Sequence, residues 1–477
     1  MTKKIVVIGA GPGGYTAAVR AAQLGGDVTV VENDHVGGTC LNLGCVPSKI
    51  LKTTADGFDT SRRFRELGIV VEGNIHIDMR VLADRKERVI KTQRKAIEEL
   101  FKKNRVRCEK GRGRVLEYGK IEVDKLNGKR DIIPWDRLLI ATGSHTVEIP
   151  EFPFDGKRII SSNEALFLNT IPESIVIVGG GVIGCEFAFI FAGLGSKVTV
   201  VEAMERLLPI PSVDEENSKV LQREMKKRKI KFFVNHTVEK VEHRESGLCV
   251  KIGPSAFVVK GKGRAEKPPV LEAEKLLVCV GRRPNTDDTG IDSIGINTDR
   301  QGWIRADNNM VTTTKNVYAL GDVLGPEKFM MAHVASTEGI VAAENAMGGN
   351  SKMEYSVIPG AIFSTPEVAD VGLTEKQALN EGIKIRKDTV LFRNIGKAQV
   401  LGEIAGQVKM ISHMDTGKIL GVHIIGPHAT ELIAEGVLAV QSGCTVKQLS
   451  ETIHAHPTLA EIMLETSFKA IDKGLHG

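Results

Sequence analysis

The sequence predicts an α/β chain: two Rossmann-like units followed by a C-terminal α+β segment that lacks one. Three observations carry this. The apolar run Ile5-Val6-Val7-Ile8 leads straight into Gly9-Ala10-Gly11-Pro12-Gly13-Gly14, and Ile175-Val176-Ile177-Val178 leads into Gly179-Gly180-Gly181-Val182-Ile183-Gly184. The length of 477 residues is too great for one core and suits about three domains.

In the first unit the Gly-rich turn opens a helix with Tyr15, Ala18, Val19 and Ala22 on one face. The next strand, Val28-Thr29-Val30-Val31-Glu32, ends in an acid 18 residues past Gly14. Gly9, Gly11 and Gly14 permit a tight turn and close approach of backbone to a pyrophosphate, whose charge faces the helix N-terminus. Glu32 can accept hydrogen bonds from an adenosine ribose. Strand, turn, helix, strand and acid together are far more specific than a lone glycine pattern.

The second unit repeats the arrangement with Gly179, Gly181 and Gly184, a helix carrying Phe187, Ala188 and Phe191, and the strand Lys197-Val198-Thr199-Val200-Val201-Glu202. Glu202 again stands 18 residues past the last glycine. One such unit binds one dinucleotide, so two imply two different ones. A carboxylate at that strand end accepts from a free 2′-hydroxyl and repels a 2′-phosphate, which favours NAD over NADP. Arg206 is near, but neither 203 nor 204 is basic. The plainer alternative is an acid that merely ends a strand in solvent.

Residues 351–477 carry no third fingerprint. Their mixed strands and helices, with an apolar face in Glu431–Val440, suit an interface domain and equally a monomer's packing layer. The expected division is 1–148, 149–275, a central segment 276–350 and 351–477.

Composition excludes several classes. A net charge of +5 is small for this length, and the basic residues at 85–114 are spaced like the polar face of a helix followed by a strand. No aromatic–basic interleaving points to nucleic acid. No stretch approaches the roughly 20 apolar residues of a membrane span. The run at 5–8 is too short for a signal-peptide core, so a cytoplasmic location is expected. Among the seven cysteines, Cys108, Cys185, Cys249, Cys279 and Cys444 stand in apolar or strand-like contexts and are expected to be buried free thiols.

The remaining two thiols lie in Gly38-Thr39-Cys40-Leu41-Asn42-Leu43-Gly44-Cys45-Val46-Pro47-Ser48-Lys49, just past the first nucleotide turn. Five positions apart, they have a spacing for redox chemistry rather than for a staple or a metal. If they pair, so short a ring adds only about 2 kcal/mol, against about 3 kcal/mol for a 15-residue loop. Such a bond in a reducing compartment exists to open and close. At the far end, His456-Pro457 with Glu461 offers acid–base chemistry. An imidazole titrating near neutral pH can take a proton from a thiol, and a carboxylate on its other nitrogen fixes the tautomer. His454 is the nearby decoy and is expected to be structural.

With these residues the chain resembles the flavin-dependent pyridine nucleotide–disulfide oxidoreductases along its whole length. The resemblance rests on Gly38–Lys49, Ala141-Thr142-Gly143-Ser144, Val280-Gly281-Arg282-Arg283-Pro284-Asn285-Thr286, Leu320-Gly321-Asp322-Val323 and His454-Ala455-His456-Pro457-Thr458-Leu459-Ala460-Glu461. Ser48 before Lys49, Glu202, Leu100–Asn104 and Gly421–His428 point within it to the branch that oxidises dihydrolipoamide. The resemblance implies FAD in the first unit and NAD in the second. It implies a Cys40–Cys45 disulfide, with Cys40 as the interchange thiol and Cys45 as the electron-transfer thiol. Lys49 would lie near the flavin with Glu186 as its ion-pair partner, a cation that stabilises the reduced flavin and the thiolate.

The resemblance further implies that Thr142, Gly143, Ser144, Asp322 and the run Met330-Met331-Ala332-His333 line the FAD cleft, and Gly113 is expected either to approach the FAD adenosine or to form a plain turn. Val238 and Gly281 would join the second Gly-rich turn on the NAD side. His456 and Glu461 would reach the disulfide of the other subunit, making an obligate homodimer. Its partners would be the lipoyl domains of 2-oxo acid dehydrogenase or glycine-cleavage complexes, with no nucleic acid and no membrane. Three departures are local. The connection from Asp322 to Met330 is longer than the family pattern, Val334 replaces a basic residue, and Lys91–Ala96 lacks a glycine turn, so that its helix should run on.

Rival readings remain open at this level. A mercuric-ion reductase shares the cysteine loop but needs a C-terminal cysteine pair, whereas the last cysteine is Cys444. A reductase of a small disulfide would run from NADPH. A scaffold or redox sensor would not need Cys40, Cys45, Lys49, His456 and Glu461 together.

Overall fold

The computed structural model describes residues 2–125, 127–257 and 270–476. The apolar run at the N-terminus forms the strand Lys4–Ile8, whose residues from Ile5 on are buried. Burial on both faces is what a central parallel strand requires. It lies at the middle of a five-stranded sheet in the order Val317–Ala319, Arg137–Ile140, Lys4–Ile8, Asp27–Glu32, Arg107–Lys110, parallel throughout.

The second unit repeats this order as Ile159–Ile160, Lys275–Val278, Ser174–Val178, Lys197–Val201, Lys231–Phe233, again parallel. Each unit inserts a three-stranded antiparallel meander: Arg112–Glu117, Lys120–Asp124 and Arg130–Pro134 before Arg137–Ile140 in one, His236–Arg244, Gly247–Pro254 and Val270–Ala273 before Lys275–Val278 in the other. The expected division at 275/276 falls at the start of the strand Lys275–Val278.

The glycine turns superpose in function. Gly9 and Gly179 have φ of +98° and +101°, and a Cβ at either would strike the carbonyl oxygen of Ala141 or Cys279 on the neighbouring strand. Only glycine tolerates both the backbone and the approach. The helices that follow, Pro12–Gln23 and Val182–Leu194, have no side-chain cap and so leave their first N–H groups facing the space above the sheet.

After the second unit the chain returns to the first. Val317–Ala319 adds an edge strand there, and the helix Ala332–Ala346 packs along Pro12–Gln23, with Gly339 against the Gly13 carbonyl. The C-terminal segment forms an antiparallel sheet in the order Gly360–Ile362, Glu367–Gly372, Ile419–Gly426, Gln407–His413, Ile385–Leu391. Helices Ala429–Gln441 and Glu461–Ala470 share its apolar core through Ile433, Ala439, Ile462 and Met463.

The helix Met79–Lys103 runs 25 residues without a break, capped by Asp78, as the missing glycine turn predicts. The cysteine expectation needs correction. Only Cys185 is fully buried; Cys108 is exposed, and Cys249, Cys279 and Cys444 are half-buried. Cys108 lies on Arg107–Lys110, an edge strand that has lost the cover a central strand receives. Among the described residues no helix is long and apolar enough to cross a membrane.

Candidate active site

One continuous cleft of about 2420 Å³ runs between the two nucleotide units and the C-terminal sheet. That is more than twice the roughly 1,000 Å³ at the upper end of ordinary ligand pockets, and it suits two dinucleotides end to end. Every cofactor contact expected from the sequence lines it, except Gly184. Gly184 lies beneath the turn, where a Cβ would strike the Gly179 carbonyl.

At the first turn Glu32 is buried and accepts hydrogen bonds from Ala10 N–H (2.7 Å) and Asp34 N–H (2.8 Å). At the second, Glu202 accepts from Gly180 N–H (2.5 Å) and Met204 N–H (2.7 Å). Each carboxylate thus holds its glycine turn and still borders the cleft. Arg206, four residues past Glu202 in sequence, donates to the carbonyls of Leu208, Ile210 and Val213 at 2.6, 3.0 and 3.0 Å. Its guanidinium is thereby committed to the protein rather than to a 2′-phosphate.

The donor set fits FAD in the first unit. Thr142 Oγ1 is buried at the cleft with no partner, which leaves a hydroxyl for a ligand. Asp322 Oδ2 accepts from Ser144 Oγ at 2.7 Å, and Arg282 donates to that Oγ and to the Ser144 carbonyl at 2.6 Å each. Gly113 sits closely on Val31 and Ile8, whose side chains would have to shift to admit a Cβ. The longer connection after Asp322 brings Met330, Met331, Ala332 and His333 to the wall, with His333 Nε2 3.0 Å from the Pro359 carbonyl.

The thiols lie where the two halves meet. Cys40 is in the short helix Gly38–Leu43, and Cys45 is the first residue of the helix Cys45–Ser61. A helix N-terminus favours an anion, and Lys49 stands one turn further along the same face. The expected disulfide is not formed in this structure: both cysteines are free thiols, and they are hydrogen-bonded to each other. That bond pulls Cys45 down to about 7; burial opposes it and the Lys49 cation assists. Cys40 is pushed up, first by the same bond and then by burial. Of the pair, Cys45 is therefore the more acidic thiol.

Lys49 Nζ is 2.8 Å from Glu186 and lies 4.3 Å from the centre of the Phe363 ring. The Phe363 N–H donates to Glu186 at 3.0 Å. This ties the cysteine helix, the first helix of the second unit and the C-terminal segment together at one point.

His456 is not in this cleft. Its Nδ1 lies 2.8 Å from Glu461, whose other oxygen accepts Thr458 N–H at 2.9 Å. Partial burial raises Glu461, but the His456 bond and the Thr458 N–H outweigh it and hold the carboxyl below its usual range. The His456 side chain is 78 % exposed, so the ring is oriented yet faces away from its own chain. His454 is buried, with Nε2 2.8 Å from Glu435, which fits the structural role expected for it.

Sequence reasoning passed over Arg282 and Phe363 as site residues. Arg282 stood inside the motif Val280–Thr286, so a signal existed. Phe363 had none, because its place depends on how the C-terminal sheet meets the cleft.

Comparison with known proteins agrees with this geometry. The family described as "Pyridine nucleotide-disulphide oxidoreductase" matches residues 3–339, and that family's dimerisation domain matches 358–467. The dihydrolipoyl dehydrogenase of Chlamydia muridarum is 39% identical over 99% of this chain and 97% of its own. That of Geobacillus stearothermophilus is 38% identical over the same shares. The crystal structure of LpdA from Mycobacterium tuberculosis has a TM-score of 0.89 at 27% identity, covering 98% of this chain and 99% of that one.

Proposed function

The chain belongs to the pyridine nucleotide-disulphide oxidoreductase family, and on that premise we propose that it oxidises protein-bound dihydrolipoamide to lipoamide while reducing NAD+ to NADH. The observation that carries this is the position of Cys45. It opens a helix between Cys40 and Lys49, inside a cleft shared by two carboxylate-ended glycine turns.

In its oxidised form the pair is a Cys40–Cys45 disulfide. A dihydrolipoyl thiolate attacks Cys40 and expels Cys45, because the thiol of lower pKa is the better leaving group. The second substrate thiol then attacks the mixed disulfide at the lipoyl sulfur, which closes lipoamide and leaves Cys40 and Cys45 reduced. Two protons leave the substrate thiols. His456 Nε2 takes the first and releases it to solvent before taking the second, with Glu461 on Nδ1 stabilising the imidazolium each time. Lys49, held by Glu186, balances the Cys45 thiolate.

FAD, when bound along the first turn, supplies a two-electron acceptor for the thiol pair and a hydride donor to NAD. Glu32, Thr142, Ser144 and Asp322 would hold it, and Glu202 with Val238 and Gly281 would hold NAD. The enzyme works as a homodimer in which His456 serves the partner's thiols. Its exposed, pre-oriented ring and the matched dimerisation domain support that arrangement. Lipoyl domains of 2-oxo acid dehydrogenase or glycine-cleavage complexes are the physiological substrates, and the cytoplasm is the location.

An anaerobic assay with dihydrolipoamide and NAD+ tests the reading. NADH formation and a long-wavelength thiolate–flavin absorbance band, lost in Cys45→Ser, are expected. Flavin-replete protein that forms no NADH would overturn it.

A further inference from the structure

Glu338 is the one acid on the helix Ala332–Ala346 that is sealed off from solvent, with 1 % of its surface exposed, and the chemistry above makes no use of it. Both its oxygens are engaged. Oε2 accepts Gly321 N–H at 2.7 Å, and Oε1 accepts the Tyr355 hydroxyl at 2.6 Å. Gly321 has φ +74° and immediately precedes Asp322, whose carboxylate faces the FAD half of the cleft. Tyr355 in turn holds the cleft-lining connection after Asp322: Phe329 stacks on its ring at 6.3 Å, and Lys328 Nζ lies 4.3 Å over it. Lys328 is anchored at its other side by Asn308 at 3.0 Å.

We propose that Glu338 is a positioning residue for the flavin, which holds Asp322 at its binding angle through Gly321 N–H and the 326–331 connection through Tyr355. It does not line the cleft itself, so it acts only through these partners. The inference rests on FAD occupying the first unit.

The acceptor oxygen matters here, not the charge. Burial pushes Glu338 up to about 7, against the hydrogen bonds of Tyr355 and Gly321 and the Lys328 cation, with Asp322 adding to the rise. A protonated carboxyl keeps the Gly321 bond, because the Tyr355 hydroxyl can turn and accept the proton. A backbone N–H cannot turn, so a side chain with no acceptor strands it.

The test uses the full-length protein stripped of flavin and titrated with FAD by flavin fluorescence. Glu338→Met should weaken FAD binding about tenfold, the scale of an unsatisfied buried donor. Glu338→Gln, which mimics the protonated acid, should restore affinity to within about twofold of the unaltered protein. If Glu338 works through Asp322, Glu338→Met should add little to Asp322→Ala, since coupled sites are not additive. Unchanged affinity in Glu338→Met, failure of Gln to rescue, or full additivity with Asp322→Ala would each overturn the proposal. If Glu338→Met does not fold, Tyr355→Phe, which removes the Oε1 contact, should itself weaken FAD binding, and unchanged affinity would overturn the proposal. A protein that binds no FAD at all would instead sink the functional reading.

Discussion

Lys49 and Glu186 form a 2.8 Å ion pair that joins the cysteine helix of the first nucleotide unit to the glycine-turn helix of the second. The pair is bordered by Phe363 on both partners: its ring lies under the ammonium and its N–H is on the carboxylate. Such a junction places a fixed cation one helical turn from Cys45, with a counter-charge that keeps it from swinging into solvent.

Replacing that cation should move the thiol. In Lys49→Met the two-electron-reduced protein should hold its Cys45 thiolate only at higher pH, with a midpoint raised by about one unit, the low end of the effect of a nearby opposite charge. A thiolate is present above its pKa and lost below it. The absorbance that marks it should therefore fade as pH drops through about 7 in the unaltered protein and at a more alkaline pH in the variant. A pH titration of thiolate absorbance decides the matter, and coincident midpoints would count against the role of Lys49.

The matched carboxylates predict separable losses. Glu202→Ala removes the ribose acceptor and frees Gly180 N–H and Met204 N–H, so the KM for NAD should rise at least tenfold, the scale of a lost charged hydrogen bond. Flavin content should be unchanged. Glu32→Ala should do the reverse, lowering flavin retention while the protein that keeps FAD shows a normal KM for NAD. Steady-state kinetics paired with flavin-to-protein ratios read both. A shared defect in the two variants would mean that the units do not divide the cofactors as assigned.

Subunit mixing tests the placement of His456. Cys45→Ser and His456→Gln homodimers should each be nearly inactive. Random mixtures after denaturation and refolding should regain about a quarter of normal activity, because half the dimers are mixed and each of those has one intact site. If the imidazole served its own chain's thiols, no mixed dimer would contain a complete site and no activity would return.

Much of this was legible in local spacing. The glycine turns, their acids and the 25-residue helix each follow from a short run of sequence whose backbone needs are local, whereas the wall residues at 142–144 and 330–333 followed only from the family resemblance. The cysteine environments were not legible in that way. Cys108, between Arg107 and Glu109, is exposed because its strand lies at the sheet's edge. Strand order is a long-range property, so no nearby residue announces it.

By itself the chain's order of residues determined the two nucleotide units, the reactive thiols and the His456–Glu461 pair, because each depends on contacts across a few turns of backbone. Only the tertiary structure decided that Arg206 is spent on three carbonyls, and that Arg282 and Phe363 belong to the cleft. The physical reason is that charge and solvation at a site are set by groups far apart in sequence, which meet only when the sheets and helices have packed.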